Sequence, residues 1–191
     1  MSLRLNLGCG RSPLQGWINV DIAPLPGIDV VADLDRCRTH PLPFAESSAS
    51  EFLMSHVLEH IGDTLALLQE LHRIAQPGAR LTIRSPYGSS DDAFEDPTHR
   101  QRFFMDSFQY FAQPMYSRAD YGYRGDWEPK TVTLLVPRAQ NQGLSGEAIL
   151  HKVRHLRNVV VEVVAVLEAV KPIRAADRGL LSSTTVDLQL V

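Results

Sequence analysis

The chain of 191 residues has few cysteines, no long apolar segment and no excess of positive charge. Cys9 and Cys37 are too few for a disulfide framework, which fits a reducing compartment. The apolar stretch at residues 159–170 contains Glu162 and Glu168, so it is too short and too charged to span a bilayer. We therefore expect a cytoplasmic protein with no secretory signal and no membrane association.

The charge balance also argues against a nucleic-acid partner. The formal net charge is −3, and the basic residues form no continuous stripe along the sequence. The length and the 44% hydrophobic content fit one globular domain over residues 1–191.

Apolar runs and a helical pattern alternate through the first half of the chain. Strands are predicted at residues 3–7, 17–22, 28–33, 50–55, 80–85, 132–136 and 184–190. A helix is predicted from Asp63, as its N-cap, to Ala75, because Leu65, Leu68 and Leu71 recur on one face. Pro77-Gly78 should end it. This alternation indicates an α/β protein with a mostly parallel sheet.

Residues 149–170 admit two predictions. Apolar residues recur there in alternating steps of four and three, which favours one long helix. The valine run at 159–161 favours a strand instead. The regular steps lead us to predict the helix, and its apolar seam could pack on the sheet or form a homodimer.

The middle of the chain is unusually aromatic. Eleven of the fourteen aromatic residues lie between Tyr87 and Trp127, mixed with charged residues. We therefore divide the chain into a cofactor half (residues 1–86), an aromatic substrate-side insert (87–130) and C-terminal strands with a helix (131–191). Such an insert would suit a lid over a ligand.

The most informative motif is the glycine turn that follows the first strand, Leu5-Asn6-Leu7-Gly8-Cys9-Gly10. Glycines allow the backbone to approach a ligand closely. Asp21, at the end of the next predicted strand, can accept hydrogen bonds from ribose hydroxyls. Together they predict a nucleoside site, although the turn could also simply join two strands.

The residues after the turn narrow the cofactor. Pro13 occupies the place of the third glycine in a G-x-G-x-x-G fingerprint, and Gly16 leaves room for about one helical turn. The helix N-terminus that binds a pyrophosphate is therefore nearly absent. This disfavours an NAD-dependent oxidoreductase and favours a nucleoside without phosphates.

In the order of its motifs, the chain resembles class I S-adenosylmethionine-dependent methyltransferases. The glycine turn resembles their first motif, Val20-Asp21 their ribose acid, and Ala32-Asp33-Leu34 the segment near adenine. Ser55-His56-Val57-Leu58-Glu59-His60 resembles the segment after strand four, and Gln76-Pro77-Gly78 the lead into strand five. These five motifs cover about residues 5 to 86.

This resemblance implies a Rossmann-like doubly wound sheet of about seven strands, with an antiparallel C-terminal strand and a shortened first helix. It implies S-adenosyl-L-methionine as cofactor. Asn6 replaces the acid that often helps to position the methionine amino group. The cofactor-binding residues that it implies are Asn6, Gly8, Cys9, Gly10, Asp21, Ile22, Asp33, Leu34, Ser55 and His56.

The segment from His56 to His60 also matches H-x-x-E-H, an inverted zinc-peptidase pattern. That interpretation needs a helix through His56 and a further ligand, whereas strand four should end at Ser55. Some methyltransferases bind a divalent ion through a related E-x-x-E-H stretch, but His56 replaces the first glutamate. We therefore assign no metal ligand from the sequence.

The catalytic candidates are His99 and, second, His60. Both should lie near the carboxyl ends of the strands, where open α/β sheets bind ligands. An imidazole there can accept a proton near neutral pH, and Arg100 or Arg102 could bind an acidic substrate group. Alternatively, His99 caps a helix and the arginines pair with nearby aspartates.

The sequence thus predicts methyl transfer from S-adenosylmethionine to an oxygen or nitrogen of a small molecule or glycan-type substrate. The alternative is a non-catalytic protein that keeps the fold and acts through a partner bound at the 149–170 seam.

Overall fold

In the computed structural model, which describes residues 2–191, eight strands form one sheet. They are β1 (Leu3–Leu7), β2 (Ile18–Asp21), β3 (Val30–Val31), β4 (Ala49–Ser55), β5 (Ala75–Pro86), β6 (Trp127–Val136), β7 (Glu162–Ala169) and β8 (Thr185–Leu190). Their order is β3-β2-β1-β4-β5-β7-β6-β8, and β7 alone among these eight runs antiparallel to its neighbours. This is the expected Rossmann-like, mostly parallel α/β sheet.

The helices are few and short. They are α1 (Thr64–Ile74), α2 (Asp92–Glu95), α3 (Arg138–Asn141) and α4 (Gly146–His155). Short 3₁₀ helices span Leu34–Arg36, Leu58–His60, Ser107–Phe111, Gln113–Ser117 and Arg178–Leu180. Residues 8–17, where a shortened first helix was expected, contain turns and no helix. Within residues 2–191, every helix falls short of the length and apolarity needed to cross a bilayer.

The predicted bounds of the strands and of the first helix agree with the structure to different degrees. β1 has the predicted bounds, and α1 begins after Asp63, whose Oδ1 accepts a hydrogen bond from the Ala66 N–H at 3.1 Å. β3 is only two residues long. β5 is longer than predicted, because it starts directly after α1 at Ala75 and accommodates Pro77-Gly78 beside a bulge against β4.

The prediction of one helix over residues 149–170 is wrong. The helix ends at His155, and residues 162–169 form β7 between β5 and β6. From Val163 onward every second residue is buried, which is the period of a strand. The valine run at 159–161 lies just before β7, so the strand follows the alternating burial of residues 163–169 rather than that run.

The antiparallel strand of the C-terminal part is not the last strand of the chain. The antiparallel strand expected in this part of the chain is β7, whereas the last strand, β8, runs parallel to β6.

Most of the aromatic residues of the predicted insert are buried. Tyr87, Phe108 and Tyr123 are among the buried aromatics of residues 87–127, and Phe104 and Tyr121 are among the exposed ones. Trp127 is fully buried in β6, where its indole N–H donates to the Leu68 carbonyl of α1 at 2.9 Å. The buried rings belong to the hydrophobic core, and the role of the insert as a lid stays a prediction.

A buried ion cluster fixes the segment between β7 and β8. Asp126 is fully buried, and Arg174 binds both its carboxylate oxygens at 2.8 Å. The same guanidinium contacts Glu128 Oε1 at 2.5 Å, and Lys130 and Ser182 also bind Glu128. Removing one partner from such a pair leaves an uncompensated buried charge.

We predict that Arg174→Met lowers the free energy of unfolding by about 3–5 kcal/mol, because Asp126 then remains buried and unpaired. Urea denaturation measures the change. Arg178→Met removes a neighbouring exposed arginine and should have little effect. Equal losses in the two variants would contradict the role of the ion cluster.

Glu128 should also make stability depend on pH. Burial alone would raise its pKa, but hydrogen bonds from Lys130, Ser182 and Arg174 lower the pKa to about 2 from an ordinary 4.5. Because the unfolded chain binds this proton first, the contribution is complete above pH 4.5 and is lost as the pH falls toward 2.

We therefore expect Glu128→Gln to reduce the fall in unfolding free energy between neutral pH and pH 3, as measured by urea titrations at both pH values. A variant with the same acid dependence as the wild type would contradict this assignment.

Candidate functional site

The candidate site lies where the parallel strands β1, β2 and β4 end. The order of the sheet reverses between β1 and β4, which is the place where open α/β sheets form a crevice. The glycine turn follows β1, Asp21 ends β2, and His56 follows β4.

The glycine turn packs directly against the loop after β4. Gly8 has a φ of +61°, and a Cβ placed there would lie 2.6 Å from Val57 Cγ2. The Gly8 N–H donates to the Val20 carbonyl at 2.7 Å. Gly10 also has a positive φ, +52°, but its missing Cβ would meet no atom within 4 Å. Gly8 is therefore required for close packing as well as for conformation.

Two buried amides hold the turn in the absence of a helix. Asn6 Nδ2 donates to Asn19 Oδ1 at 2.9 Å and to the Ser12 carbonyl at 3.2 Å. Asn19 Oδ1 also accepts from the Leu14 N–H, and its Nδ2 donates to the Leu14 carbonyl and to Asp29. Asn6, predicted to bind the cofactor, thus also holds residues 8–17 in place through these hydrogen bonds.

Asp21 is oriented by the backbone on both sides. Its Oδ2 accepts from the Gly10 N–H at 2.7 Å, and its Oδ1 accepts from the Ala23 N–H at 2.9 Å. Each carboxylate oxygen can accept a further hydrogen bond. The carboxylate is therefore fixed in position and still able to accept from a diol.

Two adjoining cavities of about 400 and 350 Å³ form a cleft, and both are lined by Gly8 and His56. Asp21 contributes to the larger one, and Leu53 to the smaller. Of the predicted cofactor residues, the larger cavity also has Ile22, Asp33 and Leu34, and the smaller has Asn6, Cys9 and Ser55. Gly10 lines neither cavity, and its N–H instead donates to the carboxylate of Asp21.

Two of these residues have other local roles. Asp33 caps the 3₁₀ helix Leu34–Arg36 by accepting from the Asp35 N–H at 3.0 Å. Burial, followed by the negative charge of Asp21, raises the pKa of the Cys9 thiol. Cys9 is therefore held as a neutral thiol and is a small residue of the cleft wall.

His56 adopts a left-handed conformation, with a φ of +55°. Its Nε2 lies 3.2 Å from Glu162 Oε1, and its Nδ1 lies 3.5 Å from Glu59 Oε1. The nearby Glu59 carboxylate raises the pKa of His56 against the effect of burial. Because a left-handed residue interrupts any helix here, the zinc-peptidase interpretation of H-x-x-E-H is wrong.

The segment that contains His99 is bound to the loop after β4. The N–H groups of Arg100 and Gln101 both donate to the Glu59 carbonyl, at 2.7 and 3.0 Å. This brings the ring of His99 to 4.8 Å from the ring of His60, measured between centroids. The two predicted catalytic histidines thus lie together, and His60 lines the cleft.

The two arginines have protein partners. Arg100 lines the cleft but pairs with Asp35 Oδ2 at 2.6 Å, and Arg102 donates to the His99 carbonyl at 2.9 Å. The alternative that they pair with Asp91, Asp92 and Asp96 is not what the contacts show. Asp91 instead binds Arg157 at 2.8 Å.

Sequence reasoning missed three residues of this region. Asn19 was included in a strand although it is a polar residue among apolar neighbours, which is a usable signal. Glu59 was noted only within the rejected H-x-x-E-H pattern and Thr98 gave no signal, because their importance depends on burial and on contacts across the loops.

A larger cavity, of about 580 Å³, lies beside α1 and the loops that contain residues 37–46, 121–124 and 171–173. Arg38, Glu70 and Lys171 line it, together with Tyr121 and Tyr123. None of the glycine-turn or strand-end motifs reaches it, so it is separate from the candidate site.

The comparisons with known proteins agree with the motif analysis. Residues 5–83 match the family model described as a methyltransferase domain. No curated protein matches the chain. The resemblance to class I S-adenosylmethionine-dependent methyltransferases is confirmed by the family match and by the fold.

Several solved structures share this fold at low identity. A SAM-dependent methyltransferase from Archaeoglobus fulgidus has a TM-score of 0.61 and 16% identity, over 87% of this chain and 86% of that one. Geranyl diphosphate methyltransferase in complex with SAM has a TM-score of 0.50 and 15% identity, over 88% and 78%. The 4+2 cyclase SpnF has a TM-score of 0.50 and 12% identity, over 88% and 75%. The family match and these neighbours support S-adenosylmethionine as the cofactor.

The contact between Gly8 and Val57 can be tested with a matched pair of variants. Gly8→Ala and Gly10→Ala both place an alanine at positive φ, but only the first also collides with Val57. We expect Gly8→Ala to cost about 1–3 kcal/mol more in unfolding free energy than Gly10→Ala, as overpacking does.

Thermal and urea denaturation give the comparison. The additional change Val57→Ala should recover part of the loss in Gly8→Ala and none in Gly10→Ala. Similar losses in the two single variants would show that the packing against Val57 is unimportant.

Proposed function

We propose that this protein transfers a methyl group from S-adenosylmethionine to an oxygen or nitrogen of a small molecule or glycan-type substrate. The observation that carries the proposal is the fixed carboxylate of Asp21 beside a turn in which Gly8 and Gly10 carry no side chain. When bound, S-adenosylmethionine supplies an electrophilic methyl group.

The proposed cofactor orientation follows the cleft. Asp21 accepts hydrogen bonds from the ribose hydroxyls, and Ile22, Asp33 and Leu34 contact the adenine end. The smaller cavity, with Asn6 and Ser55, receives the methionine end. The Gly8 turn passes beneath the junction, where a backbone without a side chain can approach the cofactor closely.

The protein's own contribution to the reaction is positioning and proton acceptance. Holding a nucleophile in line and excluding water supply most of the acceleration in such transfers. His60 lines the cleft, and its Nδ1 contacts Thr98 Oγ1 at 3.0 Å. We propose His60 or its neighbour His99 as the group that accepts a proton from the substrate.

The alternative of a non-catalytic protein that acts through a partner has lost its main support. The 149–170 seam is not a helical surface, because Val160, Val163 and Leu167 are buried within the sheet region of the same chain. The 4+2 cyclase still illustrates that this fold alone does not fix the reaction, so activity must be measured.

The function is tested by calorimetry with S-adenosylmethionine and S-adenosylhomocysteine, and by methyl transfer from labelled cofactor to metabolite and glycan extracts. Binding of both compounds with labelling of an extract component would support the proposal. Absence of cofactor binding by the wild type would refute it.

The ribose contact gives a quantitative prediction. Asp21→Ala should weaken S-adenosylmethionine binding by more than about tenfold, because charge-assisted hydrogen bonds contribute about 1.5–3 kcal/mol. Asp21→Asn keeps the shape and removes the charge, so its loss should be smaller. Asp187→Asn, which makes the same charge change on the exposed β8, is the control. Unchanged affinity in Asp21→Ala would place the ribose elsewhere.

A further inference from the structure

Glu59 is a buried carboxylate without hydrogen-bond partners. The residue is 1% exposed, and neither of its side-chain oxygens forms a hydrogen bond. His56 Nδ1 lies at 3.5 Å from Oε1, an ion-pair distance that does not meet hydrogen-bond geometry. An unsatisfied buried carboxylate is costly, so its retention here needs an explanation.

Two imidazoles face the same point. Glu59, His60 and His99 each offer one ligand atom, and these atoms all lie within 4.8 Å of one another. The His99 side chain is 7% exposed, and its Nδ1 is buried without a partner. The cluster thus contains two buried groups without partners, the Glu59 carboxylate and His99 Nδ1, beside the second imidazole of His60.

Asp96 orients the His60 imidazole through Thr98. Thr98 Oγ1 donates its one proton to Asp96 Oδ1 at 2.6 Å, so it accepts from His60 Nδ1 at 3.0 Å. This leaves His60 Nε2 as a free lone pair. Asp96 Oδ2 lies 3.8 Å from His99 Nε2, which is too long for a hydrogen bond, and the buried Nδ1 of that ring has no partner. Partners that hold the second nitrogen of a histidine, as Thr98 holds His60, are typical of metal sites.

We propose that Glu59, His60 and His99 bind a divalent transition-metal ion. Two imidazoles and one carboxylate are a ligand set suited to Zn²⁺ or Fe²⁺. Donor atoms on one Zn²⁺ at about 2.1 Å lie at most about 4.2 Å apart, so closure needs side-chain shifts of under about 1 Å. This reverses the assignment of no metal that the sequence alone suggested.

The ion would lie at the wall of the cleft, because His60 also lines it. A substrate hydroxyl that coordinated one of the open positions would lose its proton to solvent more readily. In that state His60 and His99 are ligands and no longer accept the substrate proton. These effects on the substrate proton rest on the proposed methyl transfer, whereas the proposed metal binding does not depend on it.

The test is Zn²⁺ binding to the metal-free protein by calorimetry, with Co²⁺ absorption as a second probe. We expect one ion per chain, and Glu59→Gln and His99→Gln should each weaken binding by more than about 100-fold. Thr98→Val, which keeps the shape and removes the orienting hydroxyl, should weaken it about 10–100-fold.

The matched control is the double variant His151→Gln/His155→Gln. These residues form the exposed histidine pair of α4, with ring centroids 4.3 Å apart, and could bind an ion adventitiously. Loss of binding in this control, or wild-type affinity in both Glu59→Gln and Thr98→Val, would overturn the proposal.

The folding of each variant is checked by its melting temperature, and the Thr98→Val result decides the question if Glu59→Gln does not fold. S-adenosylmethionine affinity of the metal-free protein is measured separately. Zn²⁺ binding without cofactor binding would refute the methyltransferase proposal alone, and the reverse would refute the metal site alone.

Discussion

The hydrogen bond between the buried amides of Asn6 and Asn19 is the contact on which the candidate site depends. It joins the ends of β1 and β2 under a turn that has no helix to hold it. The backbone N–H and carbonyl of Leu14, the carbonyl of Ser12 and the carboxylate of Asp29 complete the same network. A fully satisfied polar network of this kind fixes one conformation of the loop. The open cleft and the fixed Asp21 follow from it.

Local sequence signals predicted the first half of the sheet but not the last third. Val163 and Leu167 are four residues apart, so they satisfy both a helical and a strand period. Only the position of β7 between β5 and β6 decides between them, and that position is set by contacts distant in sequence. The bounds of β5 were missed for the same reason, since pairing with β4 extends it through Pro77.

The candidate site could be predicted where it is built from consecutive residues. The glycine turn and Asp21 belong to short motifs whose chemistry is visible in the sequence. The Glu59, His60 and His99 cluster combines two loops about forty residues apart, and burial rather than residue type makes Glu59 notable. The sequence named the two histidines as catalytic candidates, and it included the glutamate only in metal-binding patterns that were set aside.

The contact between residues 100–101 and the loop after β4 is anchored by two main-chain hydrogen bonds. The Glu59 carbonyl accepts from the N–H groups of Arg100 and Gln101, and the Gln101 side chain adds bonds to the Ile61 and Gly62 carbonyls, so the attachment does not depend on the side chain at position 100. Mutations there can change the chemistry presented to a substrate while the segment stays attached. Related proteins could therefore diverge in specificity at this position without rebuilding the frame around the cleft.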